Sequence, residues 1–143
     1  MARSALQSDL PERQIPDDEI EAYRKVYTEL LGMVPPRIQA RTDLLARLDP
    51  ELLTMQEELR LHCMYPKSFD TKTAQLILFG ILLSHLQDAA KLHALGAYRA
   101  GATFEELSEV VNLAFLFRGL SAANLGAEIL QGVAKTVREA GEP

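Results

Sequence analysis

The sequence predicts an all-α fold, a single-domain helical bundle of about six or seven helices. Three observations carry that expectation. Apolar residues recur at three- and four-residue spacings in successive segments instead of alternating as strands do. Proline, glycine and capping residues punctuate those segments at helix-length intervals. The chain has 143 residues, 48% of them apolar, which is the length of one domain and enough material for a core.

Residues 1–15 are polar and aperiodic, and they are expected to form a flexible N-terminal segment ahead of a helical domain spanning 16–143. The first helix opens at Pro16-Asp17-Asp18-Glu19, where Asp17 can cap and the acidic residues suit the positive end of the helix dipole. Ile20, Tyr23, Val26, Tyr27 and Leu30 then mark one face, and Gly32 with Pro35-Pro36 stops the helix. A second helix is expected over about 36–48, with Ile38, Leu44, Leu45 and Leu48 as its apolar positions. Pro50 suits the first turn of a third, which runs to about Met64.

Tyr65 to Phe69 reads as a loop, and Asp70 opens the fourth helix. Its stretch Ala74 to Leu86 is apolar nearly all round, as in a helix at a domain centre or between subunits. The polar break Ser84-His85-Leu86-Gln87-Asp88 leads to a fifth helix ending near Gly101. Thr103-Phe104-Glu105-Glu106 is a capping box that starts the sixth. Gly119 ends that helix, and Ser121 can start a last one reaching about Glu139. No strand, internal repeat or second domain is expected.

Charge and cysteine content exclude several function classes. The formal net charge is −5 and the basic residues make no stripe, which argues against nucleic acid. No run reaches the roughly 18 apolar residues a membrane helix needs. The N-terminus lacks an apolar signal core, and a single cysteine fits a reducing compartment, so a cytoplasmic protein is expected. One cysteine also rules out dithiol chemistry within the chain itself.

The polar residues of the apolar C-terminal half are the candidates for chemistry. His85, Asp88, Lys91 and His93 fall within nine positions. His93 shares its helical face with Ala89, Ala90, Gly96 and Ala97, small residues that leave room for a neighbouring helix or for a ligand. It is either a packed histidine or a proton carrier near neutral pH. His62, Cys63, His85 and His93 show no metal-ligand spacing, so no metal is expected. Cys63 is expected to be a packed, inert thiol. No nucleophile elbow and no glycine-rich phosphate loop occurs. Arg118, in the last turn before Gly119, can serve the helix dipole or fork onto a carboxylate. Asn124 has the same two readings, helix-start hydrogen bonding or a pocket contact.

These residues also carry a family resemblance. Lys91-Leu92-His93-Ala94-Leu95-Gly96-Ala97-Tyr98-Arg99-Ala100-Gly101-Ala102-Thr103, followed by Glu105-Glu106-Leu107-Ser108-Glu109-Val110, resembles the signature of the carboxymuconolactone decarboxylase family, whose fold is alkylhydroperoxidase D-like. Asp70-Thr71-Lys72-Thr73-Ala74-Gln75-Leu76-Ile77 resembles the family's Asp-x-x-Thr-x-Glu-Leu-Ile opening. Gly119-Leu120-Ser121-Ala122-Ala123-Asn124 resembles the Gly-Leu-Pro-Ala-Ala-Asn of its decarboxylase branch. Together these cover about Asp70 to Leu130. By that resemblance the cysteine pair of the peroxidase branch falls at Leu86 and Ala89, and its helping Glu at Gln75. Both thiols and the acid are missing.

The resemblance therefore implies the decarboxylase-like branch: a cofactor-free lyase, or related acid/base enzyme, on a small carboxylated lactone or ring-derived acid in aromatic catabolism. His93, Asp88 and His85 are the expected catalytic residues, and Arg118, Gln75 and Asn124 the expected substrate-binding ones. A homo-oligomer, trimer or hexamer, is implied as well. The alternative is a non-catalytic ligand-binding or assembly protein on the same scaffold, which the missing dithiol and acid motivate.

Overall fold

The computed structural model describes residues 10–143. Seven α-helices and no strand occur among them: α1 (Asp17–Leu31), α2 (Pro36–Leu48), α3 (Pro50–Met64), α4 (Thr71–Ser84), α5 (Ala90–Arg99), α6 (Phe104–Arg118) and α7 (Leu120–Glu139). The all-α expectation is met, and the helix order follows the punctuation of the sequence. The described residues fall into two compact units, divided between Met64 and Tyr65.

The first unit holds α1, α2 and α3. Residues 1–9 of the segment expected to be flexible lie outside the described residues. Residues 11–15 are anchored, because their backbone and side chains find partners on α2. Gln14 N donates to Ala46 O at 2.8 Å, and Arg47 Nη1 donates to Pro11 O at 2.8 Å. Ile15 packs on the apolar core of this unit, whose fully buried members are Ile20, Ala46 and Leu53.

That core is small, and buried polar groups fill the rest of the interior. Arg24 stands on the inner face of α1, where only apolar residues were expected. Its Nη2 donates to Thr42 Oγ1 at 2.8 Å and to Asp43 at 2.9 Å. Glu57 of α3 has no solvent exposure. It accepts from Tyr27 Oη at 3.2 Å and from Arg41, and it pairs with Arg60 at 3.7 Å. The Arg60 guanidinium lies 3.8 Å over the Tyr27 ring centroid. Burial pushes Tyr27 up to about 12, with Glu57 adding to the rise, so its hydroxyl keeps the proton it donates.

The second unit holds α4 to α7. Asp70 caps α4 by accepting from Thr73 N at 2.7 Å, and the Thr73 side chain together with that backbone bond holds its carboxyl below the ordinary range. The expected capping box opens α6: Glu106 N donates to Thr103 Oγ1 at 3.1 Å, and Thr103 N to Glu106 at 2.9 Å. Lys72 bonds Glu106 at 2.9 Å and so ties the start of α4 to the start of α6.

The core of this unit is apolar. It takes Phe79 and Leu83 from α4, Leu107 and Val111 from α6, and Ile129, Val133 and Val137 from α7. From α5 it takes Ala90, Ala94 and Ala97, so that helix lies close to its neighbours. Gly126 serves the same end on α7, since a Cβ there would stand 2.6 Å from Val111 Cγ1. Within one chain α4 is two-faced: Ala74, Gln75, Phe79 and Leu83 are buried, while Ile77 and Ile81 are exposed.

Two tests address the polar interior of the first unit. Glu57→Ala leaves two arginines without their shared carboxylate, and is expected to cost about 3–5 kcal/mol in denaturant unfolding followed by circular dichroism. The second concerns acid. Burial alone would raise Asp43, but Arg24 and Arg13 outweigh it and hold the carboxyl below its usual range. Its contribution is therefore complete above the unfolded value of about 3.9, and is lost as pH falls through the lower folded value. Unfolding midpoints should drop below about pH 4, and Asp43→Asn should flatten that drop.

Candidate functional site

The turn between α4 and α5 decides what the two helices can bring together. Its backbone closes as a Schellman motif: Leu86 N donates to Leu83 O at 2.9 Å, and Gln87 N to Leu82 O at 3.0 Å. The left-handed position of such a motif usually holds glycine. Here Leu86 takes it, with φ of 54°, and is the one non-glycine residue with positive φ among the described residues. Leu86 compensates by packing against the apolar core. The chain then turns back into α5, which packs along α4.

That reversal sets His93 of α5 against Gln75 of α4. Gln75 Oε1 lies 2.8 Å from His93 Nδ1. An amide oxygen only accepts, so in this contact Nδ1 carries a proton. The neutral ring then holds its lone pair on Nε2, the form of a base that can take up a proton there. Gln75 is fully buried and His93 half-buried. The amide Nε2 of Gln75 is buried without a hydrogen-bond partner among the described residues. An unpaired buried donor costs about 1–3 kcal/mol.

The other expected site residues stand elsewhere on this unit. His85 is the exposed C-cap of α4 and lines an open apolar groove of about 520 Å³ between α4 and α6. Ile77, Ile81, Leu113 and Phe117 form much of its wall. At its floor Gly80 lets α6 approach, since a Cβ there would stand 3.2 Å from Val110 Cγ1. Asp88 is exposed and lines a separate cleft of about 380 Å³ between α5 and α7, with Lys91 and Glu128 beside an apolar floor. Arg118 ends α6 and Asn124 lies in the first turns of α7, both exposed. The structure thus brings His93 and Gln75 together, and sets His85 and Asp88 on two different depressions.

The expectation of a packed thiol is corrected, because Cys63 is exposed. The buried positions of α3 are Leu53 and Glu57, and Cys63 falls off the stripe they mark. Among the described residues no group of three or more His, Cys, Asp or Glu could hold a metal ion. No described helix is long and apolar enough to cross a membrane.

Among family models, the one described as the carboxymuconolactone decarboxylase family matches residues 50–132. The chain belongs to the carboxymuconolactone decarboxylase family. The matched residues include Gln75, Leu86, Ala89, His93, Arg118 and Asn124. The match also reaches back through α3, earlier than the Asp70 at which the sequence resemblance begins. No curated protein and no solved structure matches the chain significantly. In this member of the carboxymuconolactone decarboxylase family, the residue that meets the α5 histidine is a neutral amide.

Two features had no signal in the sequence. A leucine in the left-handed position of the α4–α5 turn runs against the glycine preference of that position. The α4–α6 groove arises because Ile77 and Ile81 remain on an exposed side of α4, and the near-uniform apolar stretch does not announce which side that is.

Proposed function

We propose that this member of the carboxymuconolactone decarboxylase family is a cofactor-free lyase, or a related acid/base enzyme, acting on a small carboxylated lactone or ring-derived acid in the cytoplasm. The observation that carries the reading is the His93–Gln75 contact, a half-buried histidine whose Nδ1–H is held by a fully buried amide. Such a ring can shuttle a proton at Nε2 while its orientation stays fixed. In the reaction the bond between carboxylate carbon and ring carbon breaks. Its electron pair passes into the conjugated lactone as an enolate, and CO2 leaves. His93, protonated at Nε2, then gives its proton to the ring carbon and is reprotonated by water.

In this reading Arg118 forks onto a substrate carboxylate, and Asn124 supplies a further polar contact. Asp88 and His85 orient the substrate or His93. Within one chain His85 and Asp88 line different depressions, and assembly of copies into a trimer or hexamer is the proposed means of gathering these residues. Exposed apolar residues support assembly: Leu116 is 68% exposed, Leu120 71% and Phe117 93%. The second reading is a ligand-binding protein without catalysis. It is favoured by the apolar α4–α6 groove, which can hold a ligand with no proton carrier other than His85 at its edge.

Two measurements test this. His93→Ala should lower kcat on a carboxylated unsaturated lactone by roughly 10²–10⁴-fold with the fold intact. Normal turnover by that variant removes the role, and a ligand recovered unchanged from the wild-type protein favours the binding reading. Light scattering at micromolar concentration should report an oligomer that Phe117→Asp dissociates, and a wild-type monomer would refute assembly.

A further inference from the structure

Gln75 has two polar ends, and the fold uses one of them. Oε1 accepts from His93 Nδ1 at 2.8 Å. Nε2 is buried with no partner among the described residues, on a side chain with no solvent exposure. A buried donor left unpaired forfeits its hydration and gains nothing in return. Buried polar groups in native proteins are otherwise nearly always satisfied, so such a group requires a partner or a reason. A methionine would fill a similar volume without that cost. The two ends belong to one planar amide, so any group that accepts from Nε2 lies beside the histidine that Oε1 holds.

We propose that Gln75 is a two-sided residue: Oε1 fixes His93 as its Nδ1–H tautomer, while Nε2 donates to an oxygen of the bound substrate, a carboxylate or a lactone carbonyl. The proposal rests on the reading of His93 as proton carrier and adds what aligns the substrate to it. Its chemistry is selective. The amide offers a donor and carries no charge, so it accepts an anionic or carbonyl oxygen beside the imidazole. A carboxylate side chain in the same place would still hold Nδ1–H, but would offer the substrate no donor and would repel an anion.

The test uses the full chain labelled with ¹⁵N, with 2-furoate, a ring carboxylate, as the probe. The imidazole nitrogen shifts should show neutral His93 protonated at Nδ1, and the Gln75 side-chain amide signals should move saturably as 2-furoate is added. Gln75→Glu should keep the Nδ1–H tautomer yet bind 2-furoate roughly tenfold more weakly or worse, through the lost donor and the like charge. Gln75→Met should lose both the tautomer preference and the binding. The proposal is overturned if neutral His93 is protonated at Nε2, if 2-furoate leaves the Gln75 signals unmoved, or if Gln75→Glu binds it as the wild type does. Should the methionine variant fail to fold, the wild-type spectra and the glutamate variant still decide. Normal turnover by His93→Ala would remove the lyase reading alone, because the tautomer and the 2-furoate titration are read without any turnover.

Discussion

The second unit depends on how α4 ends. Residues Leu82 to Gln87 close a Schellman turn around a leucine in a left-handed conformation, and only that reversal lays α5 along α4. The Gln75–His93 contact and the packing of the alanine face of α5 both depend on it. A left-handed leucine costs roughly 1–2 kcal/mol relative to a right-handed one. Burial of the Leu86 side chain against the core offsets that cost. The conformation is thus set by tertiary packing, where glycine would have adopted it on local grounds alone.

The two units cohere by different physics. In residues 65–143 the interior is apolar, and where small side chains stand, as at Gly126, the helices come close. In the first unit three small or medium apolar residues are fully buried, and arginines, carboxylates, a threonine and a tyrosine complete the interior. Each buried charge there has an opposite charge within contact: Arg24 with Asp43, Glu57 with Arg41 and Arg60. The phenol of Tyr27 serves both sides, donating to Glu57 and stacking under Arg60.

What was legible in the sequence follows from which signals are local. Caps, prolines and glycines act within a turn of the residues they punctuate. The helix starts at Asp17, Pro36, Pro50 and Thr71, and the Thr103–Glu106 box, could therefore be read directly, although Asp17 does not cap α1: Pro16 stands at its N-cap and no side chain caps it. Which face of a helix is buried depends on its neighbours. For that reason Arg24 and Glu57 look like solvated charges in sequence and prove to be interior, while Ile77 and Ile81 look buried and stand exposed. The site divides in the same way. Gln75 and His93 are 18 residues apart and could be named as candidates, but their hydrogen bond depends on the left-handed turn between them. His85 and Asp88, close in sequence, diverge because that same turn separates the ends of two helices.

The ionic interior of the first unit also bears on how its sequence can drift. A buried charge that loses its partner is severely destabilising, whereas exchange of a whole ion set for apolar residues of similar volume is often neutral or favourable. Residues 24, 42 and 43 are therefore bound together as one set, and residues 41, 57 and 60 as another. Intermediate sequences carrying half of the exchange are the unstable ones. Relatives should differ there in blocks, with each set of charges present together or replaced together, even where the helices themselves are kept.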